Sequence, residues 1–172
     1  LIQDDYSINR GTASLLIVVV IFAQTIFCIP GGAMVVRIGV WRVITLGWLL
    51  ASVPVFVLFL DGFLPMLLLR IIYGVGFALV IPAMAPLIMQ WFNPREIPFM
   101  NSIGLVVATL AISVSTFSAA PLADLLGWRA VLSLFSAVTL AGALTWIVFG
   151  REGEMALEAP QGISLKDIWS VF

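Results

Sequence analysis

Histidine does not occur anywhere in the 172 residues. Its absence removes the side chain most often used as a metal ligand, as a general base and as a charge switch near neutral pH. Zinc hydrolases and a serine-histidine intramembrane protease therefore have no footing in these residues. Cysteine occurs once, as Cys28 within an apolar run, so the chain forms no internal disulfide and its redox compartment cannot be read. Cys28 reads as a small packing residue rather than a reactive thiol. Charge is scarce as well. Only 10% of the residues are charged, against the roughly 25% with which soluble domains clothe their surfaces. Eight Lys plus Arg nearly cancel nine Asp plus Glu, which gives no basic surface for nucleic acid.

What fills the chain is apolar side chains, 62% of the total, and they are grouped. No charge lies between Arg10 and Arg37 or from Val43 to Leu60. Gly62 to Asn93 carries only Arg70, and uncharged runs follow from Ile97 to Ala123 and from Ala130 to Gly150. Each run can cross a hydrocarbon layer of about 30 Å as a helix rising 1.5 Å per residue. Lipid offers the backbone no hydrogen-bond partners, so helices are the expected spanning structure. The expected fold class is an all-α membrane protein with five transmembrane helices, at about 12–31, 43–60, 63–92, 98–122 and 129–150. Residues 1–11 are expected to be an extracytoplasmic segment and residues 151–172 a polar cytoplasmic linker, in which Ser164 would cap a further helix with Asp167 in its first turn. No span contains Asp or Glu, which excludes a two-carboxylate protease and an acidic proton relay within these residues.

Five crossings sort the basic residues by face. Arg37, Arg42, Arg95, Arg151 and Lys166 fall on one side, and Arg10 and Arg129 on the other. The positive-inside bias makes the first side cytoplasmic. Leu1 to Arg10 is polar and acidic, unlike a signal peptide. With an outside amino terminus and an ending in mid-pattern at Ser170-Val171-Phe172, the chain is expected to be a piece of a longer protein that has at least one span before Leu1.

Helices in lipid associate through small residues. Gly104, Ala108, Ala111, Ser115 and Ala119 recur at helical spacing in the fourth run and are expected to form a close contact, unless Ala and Ser are there merely as common residues. Pro82 and Pro86 each remove a backbone donor, so the third helix should kink. Arg70 is the residue that composition does not explain. It lies roughly 12 Å into the third helix, where a charge needs a partner or a water-filled cavity. The alternative is an arginine snorkelling to the headgroups. Tyr73 and Gly74 follow at i+3 and i+4, so Tyr73 shares its face and Gly74 allows a close approach.

Gly32-Ala33-Met34-Val35-Val36-Arg37-Ile38-Gly39-Val40-Trp41-Arg42 resembles the first cytoplasmic loop of the major facilitator superfamily of secondary transporters. Gly32, Arg37, Gly39 and Arg42 fit that pattern, while Val36 stands where the family usually has aspartate. Arg70-Ile71-Ile72-Tyr73-Gly74-Val75-Gly76 is similar to the family's fourth-span signature, and Trp91-Phe92-Asn93-Pro94-Arg95 to the ending of that span, with Ile97-Pro98 in place of the usual Arg-Gly. Gly127-Trp128-Arg129 resembles the turn opening the sixth span. These matches, in order, place the chain at spans two to six of twelve. Leu122 to Arg129 also echoes the Gly32 to Arg42 loop three helices later, as inverted repeats or chance would produce.

The resemblance implies alternating-access transport of a small solute, an organic anion among the candidates, with a proton or sodium as a coupling ion. It implies no cofactor and no enzymatic step. Arg70, Tyr73, Gln24 and Asn101 are the candidate substrate or coupling residues. Gly32, Arg37, Gly39 and Arg42 are the candidate gating loop, and Gly74, Gly76, Gly104 and Ala108 the candidate packing positions. Partners would be the bilayer, the missing first span and the carboxy-terminal half. Drug-proton antiporters usually carry Gly-Pro with flanking glycines in the fifth span, whereas this chain has Ser118-Ala119-Ala120-Pro121, so symport fits better. The competing reading is a scaffold or receptor subunit that transports nothing.

Overall fold

A computed structural model describes residues 10–151 and 153. The expected outer segment lies almost wholly outside these residues, as do Ser164, Asp167 and nearly all of the proposed linker. Five helices are long and apolar enough to cross a membrane. They are α1 (Arg10–Ile38), α2 (Val40–Ser52, continued as a 3-10 helix over Val53–Phe59), α3 (Phe63–Trp91), α4 (Ile97–Leu126) and α5 (Trp128–Phe149). There is no strand among the described residues, and the chain is an all-α, multi-pass membrane protein.

Local chemistry accounts for the departures from uniform helix. Pro54 stands at the start of the 3-10 segment, where its missing N–H interrupts the α-helical ladder. The carbonyl of Val55 there accepts a hydrogen bond from the Ser133 hydroxyl of α5. In α3 both Pro82 and Pro86 lie inside one continuous helix. Pro82 gives no N–H to the carbonyl of Ala78, and α1 approaches that carbonyl at Gly31, where a Cβ would sit 2.6 Å from the oxygen.

Two apolar clusters hold the bundle at opposite ends. Val35, Val40, Val43, Ile44, Leu79 and Ala83 form one. Leu16, Val57, Met66, Leu69 and Trp128 form the other. Between them the helices meet backbone to backbone. A Cβ on Gly74 would lie 2.7 Å from the carbonyl of Val20, and one on Gly76 would lie 2.6 Å from the nitrogen of Ala51. Since lipid tails are as apolar as leucine, this close packing supplies the attraction that water supplies in soluble proteins.

The connections α1–α2 and α4–α5 are single glycines with matching geometry. Gly39 has φ 90° and ψ 157°, and Gly127 has φ 83° and ψ 150°. Each nitrogen donates to the carbonyl four residues earlier, and each carbonyl accepts from the nitrogen four residues later. The sequence echo thus has the same backbone shape in both places, one that L side chains rarely adopt. Arg129, just past the second turn, reaches Asp61 at 2.7 Å. Asp61 is 92% exposed in that pair, so Asp61→Asn should change stability by only about 0.5 kcal/mol. A thermal unfolding scan of the purified protein should show no appreciable shift.

Candidate functional site

Arg70 sits seven residues past the start of α3, about 11 Å along the axis. It adjoins the Leu69 and Met66 end of the cluster that contains Trp128 and is half-buried. Tyr73, on the same face, lies near enough to interact with it electrostatically. Tyr73 in turn stacks at 4.9 Å on Phe77, which meets Trp48 of α2 edge-on at 6.1 Å. Arg70 makes no hydrogen bond or ion pair with any described residue. Among the described residues no carboxylate stands beside this guanidinium, an arrangement able to donate charge-assisted hydrogen bonds to an anion.

The structure treats the other candidates unequally. Gln24 follows Ala23, which faces Gly74 across the α1–α3 contact, so it lies about one turn deeper than Arg70. It is half-buried and has no hydrogen-bond partner among the described residues. Asn101 belongs elsewhere. It is exposed near the start of α4, at the opposite end of the bundle from Arg70, and is separated from Arg70 by about 25 Å along the helix axes. A polar residue in an apolar run was the mark in its favour, and the rise along the hairpin shows that it does not share a site with Arg70.

On either side of the Gly39 turn, Arg37 near the end of α1 and Arg42 near the start of α2 are exposed, and neither forms an ion pair among the described residues. Gly32 lies 3.8 Å from the Pro82 side chain, measured from where its Cβ would be. Val36, which stands where the resembled loop pattern has aspartate, is 49% exposed.

The packing residues divide into two groups. Gly74 and Gly76 lie in the tight α1–α3 and α2–α3 contacts already described. Gly104 has nothing within 4 Å of where its Cβ would stand, and Ala108 is exposed. No residue of α4 is buried, so the close contact expected there is not made among the described residues. The helix tolerates lipid because its hydroxyls are spent on its own backbone. Ser102, Thr109, Ser113 and Ser118 each donate to the carbonyl four residues earlier, at 2.7–2.9 Å. Sequence reasoning missed Gly31 and Gly47, which pack on α3 as tightly as its own glycines do. Gly47 is the only glycine in the second run, and that was the available signal.

Comparison with known proteins gives consistent matches. Residues 1–171 match the Major Facilitator Superfamily. The chain is 24% identical over 153 residues to an uncharacterised protein, Cj0987c, of Campylobacter jejuni, covering 88% of this chain and 48% of that protein. It is 23% identical over 170 residues to a probable nitrate transporter, NarT, of Staphylococcus haemolyticus, covering 98% and 44% respectively. A probable nitrate transporter NarT of Staphylococcus carnosus is 25% identical over 169 residues, covering 98% and 43%. The chain thus spans less than half the length of these relatives. No solved structure matches it at comparable stringency.

Proposed function

The chain belongs to the major facilitator superfamily, and on that premise we propose that it forms part of a secondary transporter that carries a small inorganic or organic anion by alternating access. One observation carries the choice of an anion. Arg70 is a cation within a span, no carboxylate pairs with it among the described residues, and no uncharged run supplies one. Burying such a charge alone is costly, and an anionic solute offsets that cost while it is bound. Two relatives described as probable nitrate transporters agree with a compact anion.

In this reading Arg70 forms charge-assisted hydrogen bonds to the solute, and Tyr73 supplies a hydroxyl beside it. The close α1–α3 and α2–α3 contacts keep α3 rigid, so the site moves with the bundle as one body. The glycine turn at Gly39 and the exposed Arg37 and Arg42 lie on the loop that shifts as the bundle rocks. Import of an anion into a negative interior costs about 2.3 kcal/mol per charge per 100 mV, so accumulation against the potential requires coupling to a compensating charge movement. Symport with a proton or sodium meets that need. Gln24 is a further polar contact on the α1 side.

The test is flux into proteoliposomes of the full-length protein. Nitrate and other small monovalent anions should compete with one another for uptake, and a collapsed proton or sodium gradient should abolish accumulation. Sugars should not compete. Flux of neutral solutes in preference to anions would overturn the anion reading, and no flux of any solute would favour a subunit that does not transport.

A further inference from the structure

Away from Arg70, two clefts at one end of the bundle adjoin one another. The first, about 590 Å³, runs between α2 and α5 and is mostly apolar, with Trp48, Val138, Gly142, Trp146 and Phe149 in its walls. The second, about 550 Å³, is mostly polar and is lined by Gly39, Trp41, Arg42 and Arg151. Gly150 lines both. Trp146 Nε1 lies 3.5 Å from the carbonyl of Trp41, where the two clefts meet.

We propose that this continuous cleft binds one anionic phospholipid, its phosphate between Arg42 and Arg151 and an acyl chain along α5. Three features support a lipid. The apolar arm runs from Val138 to Phe149, eleven residues of α5, or about 16 Å, the depth of a single leaflet. Its rim is uncovered by the described residues, with Val138 65% and Phe149 76% exposed, as an acyl chain entering from the side would require. Its basic end lies where a headgroup would lie, flanked by tryptophans of the kind that mark the membrane interface.

The polar end also selects charge. Two guanidinium groups line it and, among the described residues, no carboxylate does. The first N–H groups of α2 lack intrahelical acceptors, and Gly39 provides no capping side chain. A zwitterionic headgroup would bring its own cation against the arginine pair, so an anionic one is preferred.

Lipid binding to the purified full-length protein, followed by native mass spectrometry, tests this. Phosphatidylglycerol should be retained at concentrations about tenfold below those needed for phosphatidylcholine with the same chains. Arg42→Gln with Arg151→Gln should erase that preference, and Gly142→Phe, which fills the apolar arm, should weaken both lipids. Equal retention of the two lipids by the native protein would overturn the proposal without recourse to any variant. So would unchanged retention in the double variant, or displacement of phosphatidylglycerol by inorganic phosphate at equal concentration. The sequence that follows the cleft contains Glu152, Glu154 and Glu158. If lipid binds only after these are changed to Gln, the chain fills its own cleft and the proposal fails.

Discussion

Arg70→Ala abolishes anion uptake in proteoliposomes of the full-length protein while its helical content and elution on gel filtration stay unchanged. The expected loss follows from what the guanidinium can do that alanine cannot. Two charge-assisted hydrogen bonds to one anion, each contributing about 1.5–3 kcal/mol, correspond to a loss of about a hundredfold or more in affinity. The protein should still fold, because Arg70 makes no hydrogen bond or ion pair with the described residues and contributes nothing of that kind to the bundle. Arg70→Lys keeps the charge but replaces the planar fork with a point donor, so it should retain part of the flux with a raised KM. Tyr73→Phe removes one hydroxyl and should cost less than either.

The opposite result is equally informative. Flux unchanged in Arg70→Ala would mean that the side chain extends along α3 to the headgroups, about 11 Å away by helical rise, and serves as an anchor. The anion would then be bound by residues outside this chain. Loss of flux together with loss of monodisperse protein would instead assign Arg70 to folding. Measuring flux and folding on the same preparation separates these cases.

The fold was legible because the bilayer imposes a simple grammar. Uncharged runs long enough to span must be helices, and single polar residues or glycines between them leave room only for tight connections. Arg70 was legible for the same reason, since a lone charge in such a run has no cheap explanation. Helix ends were less visible. Hydropathy begins the second run at Val43, but α2 starts at Val40 because Gly39 alone makes the turn. The 3-10 continuation is set by Pro54, which leaves no mark in a hydropathy profile. Among the candidate residues Asn101 lies far from Arg70, which polarity alone does not reveal. The stripe from Gly104 to Ala119 showed which face could pack but not what packs on it. Among the described residues nothing does, and we propose that segments outside this chain close on that face.

Gly76→Leu should disrupt the bundle severely. A Cβ at position 76 would lie 2.6 Å from the nitrogen of Ala51 and 2.7 Å from the carbonyl oxygen of Gly47, both backbone atoms of α2. Backbone cannot rotate aside as a flexible side chain can, so the two helices must separate. Overpacking a closed contact costs about 1–3 kcal/mol even for modest insertions. In lipid no hydrophobic gain elsewhere offsets the lost van der Waals contact. The separation would also pull on Gly47, whose own missing Cβ would meet Val80 at 2.6 Å and Gly76 oxygen at 2.9 Å, so the two glycines form one reciprocal contact. The expected readout is a sharply reduced yield of monodisperse protein in detergent and a lowered unfolding midpoint, with Gly76→Ala intermediate. Gly104→Leu is the control: the described residues leave its Cβ position open to 4 Å, so any loss of flux or stability there would report contacts with the rest of the protein. Equal stability for Gly76→Leu and Gly104→Leu would show that the α2–α3 contact does not hold the bundle together.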